Sequence, residues 1–253
     1  MNINIDGLNI NYEVSGEGTP VILLHGWLCS LDTMKPIANI LENFKVYNVD
    51  MPGFGKSSMP EKPFNTNDFG DFLSKFIKQL KIEDPILIGH SNGGRTIINY
   101  AGRKLGEPKK IILIDSAGIK PKRKLGYYIK VYTYKTLKKF LGIFPKVEMF
   151  NNIRERVLGK FGSSDYKNSS EVLRKTMSTI INEDQREIMK NIKAPTLLMW
   201  GENDLDTPIQ DGKIMEENIP DSALITIKDA GHFSYLDSQN QCMEIIKSFL
   251  KED

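Results

Sequence analysis

The chain has 253 residues, a length that suits one α/β domain with a single insertion. Its formal net charge is +2 and 40% of its residues are hydrophobic, so a globular protein is indicated and no nucleic-acid partner is expected. The two cysteines follow neither metal-ligand nor redox spacing, so neither a disulfide framework nor a metal site is predicted, and a reducing, cytoplasmic location is expected.

The first third of the chain alternates strand-like and helix-like segments. The N-terminus lacks the basic start and apolar core of a signal peptide, and its alternating runs INI and LNINYEV predict a β-hairpin around Asp6-Gly7. The apolar run PVILLHG predicts a buried strand, and a helix is predicted from about Thr33 to Asn43. The segment KVYNVDMPGFGKS predicts a strand that ends in a Pro/Gly turn.

The same alternation continues to about residue 118. DFGDFLSKFIKQL has helical spacing, PILIGHS predicts a strand, a helix is predicted from about Asn92 to Leu105, and KKIILIDSAG predicts another strand. Strands that alternate with helices predict parallel βαβ units and a sheet covered on both faces. No apolar run approaches the roughly 20 residues that a membrane span requires.

The pattern breaks between about Ile119 and Ile192, where helical patches occur without a convincing strand. Strands resume at APTLLMWG and ALITIKDAG, and the last helix is predicted from Gln239 to Leu250. We therefore predict an α/β core at 1–118 and 193–253, interrupted by a helical cap insertion at 119–192.

A candidate nucleophile lies in the segment Gly89-His90-Ser91-Asn92-Gly93. This Gly-x-Ser-x-Gly pattern follows a predicted strand and opens a predicted helix, which is the context that a nucleophile elbow requires. The glycines allow the close backbone approach of a sharp turn, and the turn exposes the serine hydroxyl above the sheet edge.

A serine hydroxyl needs a base, and the chain has three histidines. His90 is adjacent to Ser91, so its side chain should point away from the serine, and His25 ends an early strand. His232 lies in DAGHFSYLD, between the final strand and the final helix. Open α/β sheets place their sites at the carboxyl ends of strands, so His232 is the preferred base.

The base in turn needs an acid that holds its tautomer. WGENDLDTP supplies Asp204 and Asp206 directly after a strand, and Asp115 follows the strand IILI. Asp204 is preferred because it lies on the first turn out of its strand, and Asp206 and Asp115 remain alternatives. The backbone N–H groups of Trp27 and Asn92 are the candidate oxyanion donors.

Five stretches together resemble the α/β-hydrolase superfamily, and specifically its cap-bearing serine hydrolases. They are LLHGW, VDMPGFGKSS, LIGHSNGG, LLMWGENDLDTP and DAGHFSYLD, in the family order and spanning Val21 to Asp237. The resemblance implies an eight-stranded, mostly parallel sheet with an antiparallel second strand and a helical cap after the sixth strand. It implies that Ser91 attacks, His232 shuttles the proton and Asp204 supports His232, with no cofactor or metal.

Differences between this sequence and individual branches of the superfamily narrow the range of predicted reactions. Haloalkane dehalogenases and epoxide hydrolases of this fold use an aspartate nucleophile, where this chain has Ser91. HGWLCS lacks the glycine-rich run common in hydrolases of aromatic ring-cleavage products, and it looks more like carboxylesterases and cofactor-free haloperoxidases. The main prediction is a carboxylesterase acting on small to medium apolar esters through an acyl-enzyme. A C–C bond hydrolase of vinylogous diketones and a non-hydrolytic ligand-binding protein are the alternatives.

The predicted cap begins with a basic, aromatic segment, KPKRKLGYYIKVYTYKTLKKFLGIFPK. Its aromatic side chains are expected to cover the mouth of the site, and the predicted pocket residues are His25, Cys29, Tyr128 and Tyr132. A second hypothesis is that the lysines attract anionic substrates or lipid surfaces. The sequence does not predict an oligomeric state.

Overall fold

The computed structural model describes residues 1–121 and 170–251. Within them the strands are β1 (Asn2–Ile5), β2 (Leu8–Ser15), β3 (Thr19–Leu24), β4 (Phe44–Val49), β5 (Ile86–His90), β6 (Ile111–Ile114), β7 (Thr196–Gly201) and β8 (Ser222–Ile227). The helices are α1 (Leu31–Ala38), α2 (Thr66–Gln79), α3 (Asn92–Gly102), α4 (Glu171–Ile180), α5 (Arg186–Met189), α6 (Ile209–Asn218), α7 (Ser234–Asp237) and α8 (Gln239–Leu250). No helix in these two ranges is long and apolar enough to cross a membrane.

The eight strands form one sheet in the order β1-β2-β4-β3-β5-β6-β7-β8. β2 is antiparallel to both β1 and β4, and every other neighbouring pair is parallel. This confirms the predicted mostly parallel sheet and its antiparallel second strand. The carboxyl ends of the parallel strands meet at one edge, where open α/β sheets place their sites.

Each face of the sheet is covered by helices because successive strand residues point to opposite sides. In β3, Val21 and Leu23 belong to a core cluster shared with α1 and α8, whereas Ile22 and Leu24 belong to a cluster shared with α2 and α3. The same alternation recurs in β6 and β7. The continuous apolar runs of the sequence are therefore strands buried on both faces.

The helix boundaries follow their capping residues. The predicted last helix coincides with α8, whereas α1 ends well before the predicted limit at Asn43. The Ser30 side chain caps α1 by accepting from the Asp32 N–H, and the chain then turns tightly toward β4. In α2, a capping box between Asn65 and Asp68 moves the start slightly upstream of the predicted segment.

Of the predicted insertion, residues 119–121 and 170–192 are described, and the second range contains α4 and α5. Several hydrogen bonds fasten this part to the core, including three that involve α4 or the turn that follows it. The Thr176 hydroxyl accepts from Phe64 N–H at 2.9 Å, Glu183 accepts from Thr66 N–H at 2.8 Å, and Arg95 Nη1 donates to a carbonyl of α4 at 2.7 Å. Most of the basic segment, with Tyr128 and Tyr132, lies outside the described residues.

Candidate active site

Ser91 lies between β5 and α3 with φ +49° and ψ −111°, a backbone conformation that side-chain-bearing residues rarely adopt. Two glycines make the turn possible. A Cβ on Gly89 would lie 2.6 Å from the Gly93 carbonyl carbon, and a Cβ on Gly93 would collide with the Leu24 carbonyl of β3. The Gly-x-Ser-x-Gly pattern is thus a strained strand-to-helix turn, and Ser91 is 9% exposed.

His232 reaches Ser91 across the sheet edge. Its Nε2 lies 3.0 Å from Ser91 Oγ, although the two residues are 141 positions apart in the chain. The loop that carries His232 follows β8, and two bonds hold its backbone. The Asp237 carboxylate accepts from Gly231 N–H at 2.8 Å, and His90 Nε2 lies 2.8 Å from the His232 carbonyl oxygen.

Asp204 occupies the other side of the His232 ring, with Oδ2 2.8 Å from Nδ1. Burial alone lowers the pKa of His232, but the hydrogen bond and negative charge of Asp204 outweigh burial. The pKa of His232 is therefore raised above its ordinary value of 6.5, with smaller contributions from the charges of Asp206 and Asp115. The side chain of His232 remains 15% exposed.

The loop after β7 presents Asp204 in one orientation. Its Oδ1 accepts from the N–H groups of Asp206 and Thr207 at 2.8 and 3.0 Å, and its Oδ2 lies 2.7 Å from the Thr207 hydroxyl. Burial raises the pKa of Asp204, but the bonds from His232 and Thr207 outweigh it, so its pKa is lowered. Asp204 is therefore held as a carboxylate beside the imidazole.

In the described part of the chain, neither of the two alternative acids forms a side-chain hydrogen bond to His232. Asp206 is exposed and contributes only its backbone N–H to Asp204. Asp115 is fully buried behind the site and accepts from Gly201 and Ser234. Of the three acids weighed from sequence, the structure brings Asp204 to the histidine.

His90 is fully buried, and burial lowers its pKa to about 3. Its ring centroid lies 4.9 Å from that of His232 and 4.7 Å from that of Phe233. A neutral His90 whose Nε2 donates to the His232 carbonyl is therefore part of the packing around His232.

The loop after β3 approaches the serine closely. A Cβ on Gly26 would lie 3.3 Å from Ser91 Cβ, and Leu28 takes a positive φ of +55°. The Trp27 ring packs edge-on against Phe54 at 4.9 Å between centroids. Neither Trp27 N–H nor Asn92 N–H bonds to another residue of the described ranges, so both are available as donors.

The pocket residues predicted from sequence lie in different environments. His25 is fully buried, its Nδ1 bonds the Gly26 carbonyl at 2.7 Å and its Nε2 accepts from Met51 N–H at 3.0 Å. His25 therefore ties two loops together through both ring nitrogens, and its place in the substrate pocket stays a prediction. Cys29 is half-buried, whereas Tyr128 and Tyr132 lie outside the described residues.

Two residues that organise these loops were missed from sequence. Asp50 is buried and accepts from Leu31 N–H, Lys56 N–H and Asn11 Nδ2 at 2.7 to 2.8 Å. A Cβ on Gly55, which has φ +54°, would collide with the Asp50 carboxylate. The aspartate and glycines of VDMPGFGKSS were a readable signal for such a turn.

Thr207, the second missed residue, places its hydroxyl between Asp204 Oδ2, His232 Nδ1 and the Asp115 carbonyl, at 2.7, 3.3 and 3.0 Å. Asp204, Asp206 and His232 also bring three potential metal-ligand atoms within 4.8 Å of one another. A cation at that point would compete with the bond between Asp204 and His232, since His232 Nδ1 is one of its two atoms.

Comparison with known proteins agrees with this geometry. A family model for the alpha/beta hydrolase fold matches residues 19–239. The chain is 26% identical to a pimeloyl-acyl-carrier protein methyl ester esterase of Legionella pneumophila (strain Lens), over 96% of this chain and 100% of that protein. It is also 26% identical to a 2-hydroxy-6-oxo-6-phenylhexa-2,4-dienoate hydrolase of Comamonas testosteroni, over 96% of this chain and 91% of that protein.

Among solved structures, an esterase from Exiguobacterium antarcticum is similar with a TM-score of 0.74 and 26% sequence identity. The similarity covers 98% of this chain and 97% of that one. Two of these three similar proteins are therefore esterases, and one cleaves a dienoate.

Proposed function

Because this chain belongs to the α/β-hydrolase fold family, we propose that it is a serine hydrolase that cleaves carboxylic esters of small to medium apolar substrates. The observation that carries the proposal is the continuous line of hydrogen bonds from Ser91 through His232 to Asp204, at 3.0 and 2.8 Å. An activated serine of this kind is how proteins turn a weak hydroxyl into a nucleophile.

In the proposed acylation step, Ser91 Oγ attacks the ester carbonyl and His232 Nε2 takes its proton. His232 then gives that proton to the departing alkoxide, so an alcohol leaves and an acyl-serine remains. Asp204 keeps Nδ1 protonated and stabilises the imidazolium, which is supported by the raised pKa of His232. In deacylation the same imidazole activates a water, and the acid product leaves.

The developing oxyanion requires donors fixed before the reaction. We assign this role to the backbone N–H groups of Trp27 and Asn92, which flank the close approach of Gly26 to Ser91. Removal of one such donor typically costs about 3 kcal/mol of barrier. The aromatic pair of Trp27 and Phe54 beside this loop favours an apolar substrate.

The proposal is tested with a fluorophosphonate probe and a panel of p-nitrophenyl esters of increasing acyl length. The wild-type chain should be labelled and should turn over esters, whereas Ser91→Ala should do neither. Ser178→Ala is the matched control, because Ser178 is an exposed serine on α4 whose hydroxyl donates to the Arg174 carbonyl of the same helix. Labelling that survives Ser91→Ala contradicts the proposal.

A C–C bond hydrolase is the second candidate, favoured by the 26% identity to the dienoate hydrolase. It would use the same three side chains on a ketone of a vinylogous diketone. Slow ester turnover together with rapid loss of a coloured dienoate would select this reaction. One slow turnover with retained ligand would instead indicate a binding protein.

A further inference from the structure

Asp115, rejected above as the acid partner of His232, lies fully buried behind the site, directly after β6. Its backbone has a positive φ of +45°, an uncommon conformation for a residue with a side chain. It is not a surface acid, and neither of its carboxylate oxygens bonds to another acid or base. A buried carboxylate in strained backbone needs strong local compensation.

The two carboxylate oxygens of Asp115 bond to two different loops. Oδ1 accepts from the N–H of Gly201 at 2.7 Å, at the point where β7 gives way to the loop of Asp204. Oδ2 accepts from the N–H and the hydroxyl of Ser234 at 3.0 and 2.6 Å, two residues after His232. One side chain therefore connects the origin of the acid loop with the base loop.

A second connection runs through the backbone of the same residue. The Thr207 hydroxyl lies 3.0 Å from the Asp115 carbonyl oxygen and 2.7 Å from Asp204 Oδ2. The Asp115 N–H bonds the Met199 carbonyl of β7 at 2.9 Å. Asp115 is thus joined to the Asp204 loop at both ends of that loop.

We propose that Asp115 is a positioning residue that holds Asp204 and His232 in register for proton transfer. The inference rests on the proposed serine-hydrolase function. Among the described residues the Ser91 hydroxyl bonds to His232 and the Asp115 carboxylate bonds to Gly201 and Ser234, so Asp115 acts through the loops that it joins. A shift of about 1 Å between the catalytic acid and base can lower the rate roughly 100-fold. Loss of a residue that fixes their relative position should therefore have a measurable effect on the rate.

The pKa of His232 offers a separate readout. The bond from Asp204 raises that pKa more than the charges of Asp206 and Asp115 do, so a loosened Asp204 should lower it. Burial raises the pKa of Asp115 itself to about 7, although the bonds from Ser234 and Gly201 oppose that rise, so its charge is lost as pH falls below neutral. The other titratable groups coupled to Asp115 are Asp204, His232, Tyr235 and Cys242.

The first test is Asp115→Asn. The amide keeps one acceptor oxygen but sets an NH₂ group against the N–H of Gly201 or of Ser234, so it cannot hold both loops. We expect kcat per fluorophosphonate-labelled site to fall roughly 10- to 100-fold, with KM within about threefold. The acid limb of the pH–rate profile should move to lower pH. Asp206→Asn, which removes an exposed acid of the same loop, should change kcat by less than about threefold.

A second variant, Ser234→Ala, keeps the test decisive if Asp115→Asn does not fold. It removes only the hydroxyl bond to Asp115, and kcat should fall roughly 3- to 10-fold. NMR titration of the imidazoles reads the position of His232 without any substrate. It is interpretable because the chain has only three histidines and the other two are fully buried.

The outcomes separate the two proposals. A wild-type chain that is not labelled by the fluorophosphonate and does not hydrolyse esters contradicts the proposed function. The His232 titration still tests the positioning role of Asp115 in that case. Variants at Asp115 and Ser234 that fold, keep the wild-type kcat per labelled site and leave the His232 pKa unchanged overturn the positioning role. Loss of folded protein alone, with a normal rate per labelled site, also overturns it.

Discussion

Two histidine–aspartate pairs lie at the same edge of the sheet, and they are used in opposite ways. His25 and Asp50 follow β3 and β4, and their hydrogen bonds go mainly to backbone groups of neighbouring loops. His232 and Asp204 follow β8 and β7 and bond to each other at 2.8 Å, which leaves His232 Nε2 facing Ser91. The first pair holds loops in place, whereas in the second pair the remaining ring nitrogen of His232 bonds to the Ser91 hydroxyl.

The difference lies in how hydrogen-bonding capacity is used and not in residue type. Burial lowers the pKa of His25, and the bond to Gly26 and the charge of Asp50 oppose that effect without reversing it. In His232 the bond to Asp204 reverses the effect of burial. A histidine whose two nitrogens both serve the backbone cannot accept a proton from a serine, so the following predictions address the two pairs separately.

The largest effect is expected from His232→Gln. The variant removes the proposed base, so ester hydrolysis should fall by about 10⁴-fold or more. The thermal midpoint should change little in comparison, because the ring is partly exposed and Gln approximates its shape. Steady-state kinetics and a melting curve on the same preparation measure both. A variant that keeps more than about one tenth of the wild-type rate contradicts the assignment.

The second-largest effect is expected from Asp204→Asn, which should lower kcat by about 10³- to 10⁴-fold. The amide cannot hold Nδ1 of His232 protonated while also accepting from Thr207. Asp206→Asn is the matched control, since it removes an acid two residues away whose side chain is exposed. A larger loss in Asp206→Asn than in Asp204→Asn would reverse the choice of acid.

The pH dependence of kcat/KM should show a base that works in its neutral form. The pKa of His232 is raised, so activity should be half-maximal above pH 6.5 and should fall about tenfold for each pH unit below that pKa. In Asp204→Asn the acid limb of this pH profile should move to lower pH, because the carboxylate that raises the pKa of His232 is gone. A profile that rises as pH falls contradicts a neutral His232 base.

Asp50→Asn should affect stability far more than chemistry. The amide can satisfy only some of the three donors that surround the carboxylate, so the free energy of unfolding should drop by about 3 kcal/mol. The rate per fluorophosphonate-labelled site should remain within about tenfold of wild type. Denaturant unfolding and active-site titration separate the two effects.

The smallest effect is expected from His25→Gln. Loss of one of its two backbone bonds should cost about 2 kcal/mol of unfolding free energy, with a rate per labelled site close to that of wild type. If His25→Gln and His232→Gln lose activity to the same extent, the distinction between the two pairs is wrong.

Much of the fold could be read from the sequence. The predicted α/β-hydrolase family and the eight-stranded, mostly parallel sheet are confirmed, because apolar runs and glycine turns are local signals that depend on the nearest residues. The helix ends were less accurate, as at α1, where the cap at Ser30 was not recognised. The cap insertion at 119–192 and the catalytic roles stay predictions.

The sequence by itself determined the order of strands and helices and the strained turn at Ser91, since glycine spacing and strand periodicity act over a few residues. The tertiary structure alone decided which aspartate meets His232, and it assigned His25 and Asp115 to bracing. Those choices depend on contacts between residues 26 to 119 positions apart. Such contacts are set by how the loops at one sheet edge pack, and no local pattern encodes that packing.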